Sequence, residues 1–192
     1  MLSLSDTVFA RAAEGTDAVA EYRGSVERLA GLVPPPTAAP RRRDWGQVER
    51  EIGTALPSDY KRVIDVYGGG RRFGEFIYLY DPDSSNAYMD LAVESRNALW
   101  ALRELEDVSQ CPYALGDPPE LLAWGRNDNG DPFFWHRAGP DPDSWTVAVS
   151  EEGDPDEWFT FDGGLAEFLC AVLSGEVRVP FFPENFPPAA GS

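Results

Sequence analysis

The chain predicts an α+β fold, an antiparallel sheet of about four to six strands packed with helices. Three observations carry that prediction. Capped segments with apolar residues three and four apart crowd the front half. Short aromatic-rich strands with turn residues between them follow from residue 121. One more helical segment comes after the last strand. Strands that succeed one another through short turns pair antiparallel, and helices set before and after them exclude an alternating parallel architecture.

The front reads as two helices, 5–14 and 16–31. Ser5 and Thr16 suit N-caps, Gly15 parts the segments, and Val19, Tyr22, Val26, Leu29 and Val33 form one apolar stripe. Residues 33–43, VPPPTAAPRRR, cannot continue a helix, because proline lacks the amide donor. Residues 1–43 are therefore an N-terminal helical arm and proline-rich linker, either packed on the main domain or lying outside it. Asp44 starts a helix with Gln47 in a capping-box-like relation. Trp45, Val48 and Ile52 form its buried face, and Gly53 stops it. Pro57 falls where a first turn tolerates proline. Tyr60, Ile64 and Tyr67 follow at helical spacing until glycines 68–70 end the helix.

Residues 76–80 read as a strand. Residues 85–106 read as a long amphipathic helix with Tyr88, Leu91, Ser95, Leu99, Leu102 and Leu105 or Glu106 on one side. Strands at 121–125 and 132–137 flank residues 127–130, where Asn129-Gly130 favours a tight hairpin. Two more strands, 145–150 and 158–161, enclose an acidic turn. Asp162 is placed to cap a last helix that turns Leu165, Phe168, Leu169 and Val172 inward and closes at Gly175. The main domain spans 44–180, and 181–192 reads as a loosely ordered tail.

The 16 basic and 33 acidic residues give a formal net charge of -17. Phosphate binding needs clustered Lys and Arg, so direct nucleic-acid binding is not expected, nor is an anionic membrane surface. The charge is uneven: 1–72 carries a net +1 and 73–192 a net -18. Such a field draws a basic partner, and it also serves plain solubility. Two lone cysteines, Cys111 and Cys170, make no disulfide framework and suit a reducing compartment. The opening residues lack a signal-peptide pattern and no apolar run spans a bilayer, so a cytoplasmic location is expected.

Reaction chemistry is hard to find. His136 is the single histidine, and with two distant cysteines it offers no metal-ligand spacing. Asn127, Asp128, Asn129 and Asp131 miss a calcium loop, since Gly125 stands at its first position and His136 at its last. Gly68, Gly69 and Gly70 follow a helix rather than open one, so they end it and do not cradle phosphate. Carboxylates are too many for any one pair to be singled out. No catalytic residue, metal or cofactor is expected, and an unassigned enzyme is the least favoured class. Of Trp45, Trp100, Trp124, Trp135, Trp145 and Trp158, most read as core. One or two suit interface anchors, and the pattern does not say which.

With the elements in order, the chain resembles the SMI1/KNR4 family, or SUKH superfamily, over roughly residues 44–178. The resemblance rests on Trp45, Val48, Glu49, Ile52 and Gly53, then on LPSDYK from Leu56, Pro57 and Tyr60, then on Ile64 and the Tyr67-Gly68 pair. It resumes at Leu121, Leu122, Trp124, Gly125, Asn129, Gly130, Asp131 and the run 133–135 ending in Trp135. It closes with Trp158, Phe161, Phe168 and Leu169 before Gly175.

The resemblance implies an α+β domain whose motif residues are structural. In bacteria it implies a non-enzymatic immunity protein that binds and neutralises a toxin domain, often one acting on nucleic acids. In fungi it implies an interaction hub in cell-wall signalling. The expected partner is a basic toxin domain. The expected partner-binding residues are Asp141, Asp143, Glu151, Glu152, Asp154, Asp156 and Glu157, acids on turns that a sheet holds out. An adaptor without a toxin partner is the alternative.

Overall fold

A computed structural model describes residues 24–38, 40–105, 110–154 and 156–188. The helix expected at 5–14 and the first turns of that expected at 16–31 lie outside those residues. Helix α1, residues 24–32, buries Val26 and Leu29. It is tied down at three points: Arg28 pairs with Glu176, Cys170 Sγ donates to the Ser25 carbonyl, and the Tyr67 hydroxyl donates to Val33 O at 2.8 Å. The described part of the front arm thus packs on the main domain.

Helix α2, Trp45–Ile52, begins where Asp44 accepts the Gln47 N–H at 3.1 Å. It ends at Gly53, whose φ of 83° is the left-handed conformation a helix stop favours. Val48 is its buried residue, with Trp45 and Ile52 half-buried. Helix α3, Ser58–Tyr67, starts after Pro57, which occupies the N-cap position and has no side-chain acceptor to offer. Strands β1, Arg72–Phe73, and β2, Ile77–Leu79, form a short hairpin. Its turn holds Gly74 and Glu75 at φ of 57° and 53°, the sign both central residues need to match the strand twist.

The expected helix at 85–106 is two pieces. A single 3₁₀ turn, Ala87–Met89, precedes helix α4, Leu91–Glu104. Asp90 supplies the break by accepting the Val93 N–H at 2.9 Å. The Asp81 N–H also bonds Met89 O, and Leu91 N–H bonds Asp81 O, which holds the chain extended there.

Strands β3, Leu121–Asn127, β4, Pro132–His136, β5, Thr146–Ser150, and β6, Trp158–Phe161, complete a six-stranded antiparallel sheet in sequence order. Helix α5, Leu165–Leu173, follows. Its cap is Gly164, whose N–H donates to Glu167, and not Asp162 two residues earlier. The α+β antiparallel architecture is the one the sequence predicts.

Both sheet faces are covered. Trp124, Phe133 and Trp135 stack with Phe168 of α5 and Tyr60 of α3. The opposite face carries Ala123, Phe134 and Ala148 in register. Helix α4 lies over its β3 side, where the Ser95 hydroxyl donates to Ala123 O. Tyr113 stacks on His136 and Trp158 farther along the same face. A bulge between Ala123 and Gly125 shifts the β3–β4 register beside Trp124, which packs on the α5 face. Gly125 then runs so close to β2 that a Cβ would sit 2.4 Å from Tyr78 O.

The tail expected to be loose contributes to this core. Phe182 and Phe186 are buried against Phe76, at ring separations of 5.2 and 5.0 Å. Proline content hid them, because the segment has no helical or strand period.

Candidate functional site

Several motif residues make contacts within the domain. The Leu56 N–H donates to Glu49 Oε1 at 2.9 Å, and Lys61 Nζ donates to the same carboxylate at 2.8 Å, so Glu49 fastens the α2–α3 turn. Tyr60 is fully buried and its hydroxyl donates to Tyr80 O at 2.9 Å. Gly68 ends α3 at a φ of 81°. In the β3–β4 loop, Asn127 Oδ1 accepts the Asn129 and Asp131 N–H groups, each at 3.0 Å. Asp131 in turn accepts from the Asn127 side chain and from the Glu152 N–H, the latter at 3.0 Å. Gly130, and not Asn129, takes the positive φ, 100°. The segment is therefore a four-residue hairpin loop braced by two buried side chains.

Titratable groups are dispersed. Among the described residues no group of three or more His, Cys, Asp or Glu could hold a metal. His136 stacks on Tyr113 at 4.8 Å. Burial pushes the Cys170 thiol up to about 11, far from a reactive thiolate. Asp59, 1% exposed, accepts the Tyr60 and Ala166 N–H groups at 2.6 and 2.9 Å, so it caps the start of α5 from α3. Desolvation raises its pKa to about 6 in spite of those bonds.

What remains exposed and shaped for a partner centres on α4. Leu91, Ser95 and Leu102 face the sheet. Trp100 points away from it and is 64% exposed; Tyr88, just ahead of the helix, is 71% exposed. Sequence spacing placed Tyr88 on the buried stripe, which the 3₁₀ turn prevents. Trp100 falls off that stripe by two residues from Leu102, which was the available signal.

On one flank of α4 a groove of about 310 Å³ runs to the β5–β6 turn, lined by Asn97, Ala101, Leu105, Glu94, Glu151 and Glu152 among others. Desolvation, then the neighbouring Asp131, raise the Glu152 pKa. Arg126 is the one basic residue of this groove. On the other flank a groove of about 290 Å³ carries Arg96 and Arg137 over an apolar floor.

The seven acids expected to bind a partner fall in two places. Asp141 and Asp143 precede β5. Asp141 caps the 3₁₀ turn Pro142–Ser144, and Asp143 gives both carboxylate oxygens to Ser58, one to its N–H at 2.6 Å and one to its hydroxyl at 2.9 Å. Glu151, Glu152, Asp154, Asp156 and Glu157 lie at the far end of β5, about 16 Å away for a five-residue strand. There Asp154 accepts the Asp156 N–H and Asp156 accepts the Gln110 N–H, while the Glu151, Glu152 and Glu157 side chains are at least partly open to solvent.

Residues 42–169 match the family model described as SMI1-KNR4 cell-wall, of the SUKH type. The chain belongs to the SMI1/KNR4 family. Comparison with curated proteins gave no match, and comparison with solved structures gave none either. The SMI1/KNR4 region covers α2 to the middle of α5, so α1 and the aromatic tail lie outside it while sharing its core. Among the described residues no helix is long and apolar enough to cross a membrane.

Proposed function

We propose that this SMI1/KNR4 domain is a non-enzymatic immunity protein that, in the cytoplasm, binds a cognate toxin domain and covers its active surface. One observation carries the reading. Helix α4 exposes a tryptophan, Trp100, on its outer ridge, and one flank of the same helix forms a groove lined by Glu94, Glu151 and Glu152, in a chain of net charge -17. Asn97, which lines that groove, lies three residues before Trp100 and is its neighbour on the helix surface.

Tryptophan is over-represented among residues that dominate interface energy, and such anchors work in desolvated surroundings. A toxin acting on nucleic acid presents a basic surface for phosphates, and acids held on a rigid hairpin occupy it in their place. Complementary charge quickens encounter, and a buried anchor slows release. Glu151 and Glu152 line the groove beside α4, with Asp154, Asp156 and Glu157 following on the same turn. Asp141 and Asp143 act at longer range, where salt screens them.

Co-expression with a toxin domain encoded in the neighbourhood of this gene, where there is one, tests the reading. Cells survive and the two proteins co-purify if it holds; a neighbouring toxin that is neither bound nor neutralised sinks it. A second reading, an interaction adaptor, draws on the cell-wall wording of the matched family description. A housekeeping gene neighbourhood and capture of cell-envelope or signalling proteins would favour that one.

A further inference from the structure

The groove on the opposite flank of α4 has a chemistry that toxin binding does not use. It is formed where five segments meet: the end of α2, α4, the turn at 117–119, the start of β3 and the start of the chain after β4. Ile52, Leu99, Pro118 and Leu122 give it an apolar floor, and Arg96 and Arg137 both line it. Arg137 is half-buried with no carboxylate within ion-pair distance among the described residues.

Its guanidinium has five donors. Among the described residues one of them, on Nη2, finds an acceptor, the Pro119 carbonyl, and the buried Nε has none. The group also lies 6.0 Å from the Trp145 ring centre. Arg96 is exposed and likewise forms no ion pair among the described residues. The one acid on the rim, Asp117, pairs with neither.

A cation taken out of water without a counter-ion destabilises the fold unless something completes it. Desolvation indeed lowers the Arg137 pKa. In a chain with 33 acidic residues to choose from, leaving two neighbouring arginines without a carboxylate keeps their donors open to an outside anion. The apolar floor adds a requirement that inorganic anions do not meet. A cavity of about 290 Å³ is at the small end of ligand sites.

We infer that this groove is a binding site for a small carboxylic acid with a short apolar body, its carboxylate held between Arg96 and Arg137. The site stands independently of any toxin partner.

Hexanoate is a suitable probe, with hexanamide and hexylammonium as uncharged and cationic controls of the same body. Amide chemical shifts of the full chain would be followed during titration with each. Saturable shifts centred on Ser95, Leu99 and Leu122 with hexanoate, and not with the controls, are expected at about millimolar affinity for so small a ligand. R96Q and R137Q should each weaken binding by about tenfold or more. R137Q also removes the bond to Pro119, so its melting temperature must be checked. Arg96 makes no such contact among the described residues, and R96Q decides the matter if R137Q unfolds. No saturable shift, equal binding of hexanamide, shifts confined elsewhere, or unchanged affinity in R96Q would each overturn the site.

Discussion

Asp59 makes the native state sensitive to pH in an unusual direction. Desolvation raises its folded pKa to about 6, above the ordinary 3.8, and the two backbone N–H bonds lower it only partly. The folded chain therefore binds this proton more readily than the unfolded one between those values. The stability it confers is full below pH 3.8 and is lost as pH rises through 6, on the order of 3 kcal/mol in all. Glu49 works in the opposite sense. Desolvation raises it, but the bonds from Lys61 and Leu56 outweigh that and leave it below 4.5, so its contribution is lost on acidification below that value. Urea unfolding at pH 7 and at pH 5 separates the two. The wild type should gain stability at pH 5 relative to Asp59→Asn, whose pH response should be shallower. Equal slopes in both proteins would rule out the assignment. The Asn variant also leaves one of two amide donors without an acceptor, a cost of about 1–3 kcal/mol. A second substitution, Gly125→Ala, puts a methyl 2.4 Å from the Tyr78 carbonyl and should cost about 3 kcal/mol, read as a lower urea midpoint. Gly125 was legible as a motif position. The burial of Asp59 was not, because its partner Ala166 is 107 residues away and the local pattern reads as an ordinary first-turn acid.

Helix α3 shows how one element borrows its cap from another. Pro57 offers no acceptor, and Asp143, 85 residues on, takes both the N–H and the hydroxyl of Ser58. Asp143→Ala should therefore cost about 1–2 kcal/mol of unfolding free energy, the range for a lost N-cap. Asp141→Ala, which removes only the cap of a three-residue 3₁₀ turn, should cost clearly less. Comparable losses in both would show that the cap is not what Asp143 supplies. The same distinction explains what the sequence disclosed of the elements. The starts of α2 and the end of α3 were readable because Asp44 and the glycines act within a few residues. The start of α4 was misplaced because the Asp81 backbone, eight residues before Met89, holds the chain extended there. Strand β1 went unseen because two residues carry no period. The tail was read as loose because Phe182 and Phe186 gain their meaning only against Phe76 and Phe133. Phe182→Ala should cost about 3–5 kcal/mol, as for a buried core ring, and a change under about 1 kcal/mol in the urea midpoint analysis would return the segment to a surface role.

Charge divides the protein between an acidic flank of α4 and a basic one, with Trp100 exposed on the outer ridge of the helix between them. The sequence announced the acidity and the fold but not this division, since it arises where α4 crosses a sheet whose later strands bring Glu151 and Arg137 to opposite sides of one helix. For the proposed toxin binding, the division separates two contributions that net charge alone would confound. Long-range attraction from the hairpin acids acts on encounter and is screened within about 8 Å at physiological salt. In the proposed complex, contact by Trp100 sets release and is indifferent to salt. Substituting Glu151 and Glu152 together by Gln should lower the association rate at low salt by about tenfold, with the deficit shrinking as salt is added. Trp100→Ala should leave association nearly unchanged and speed dissociation by about thirtyfold or more, as loss of an anchor worth about 2 kcal/mol requires. Because Trp100 is 64% exposed, neither its melting temperature nor its circular dichroism should change. Surface plasmon resonance with the toxin domain across a salt series reads both constants on the same material. If Trp100→Ala binds with wild-type kinetics while the glutamate pair still matters, the partner meets the hairpin and not α4. If neither change has an effect, the toxin engages another face of the domain.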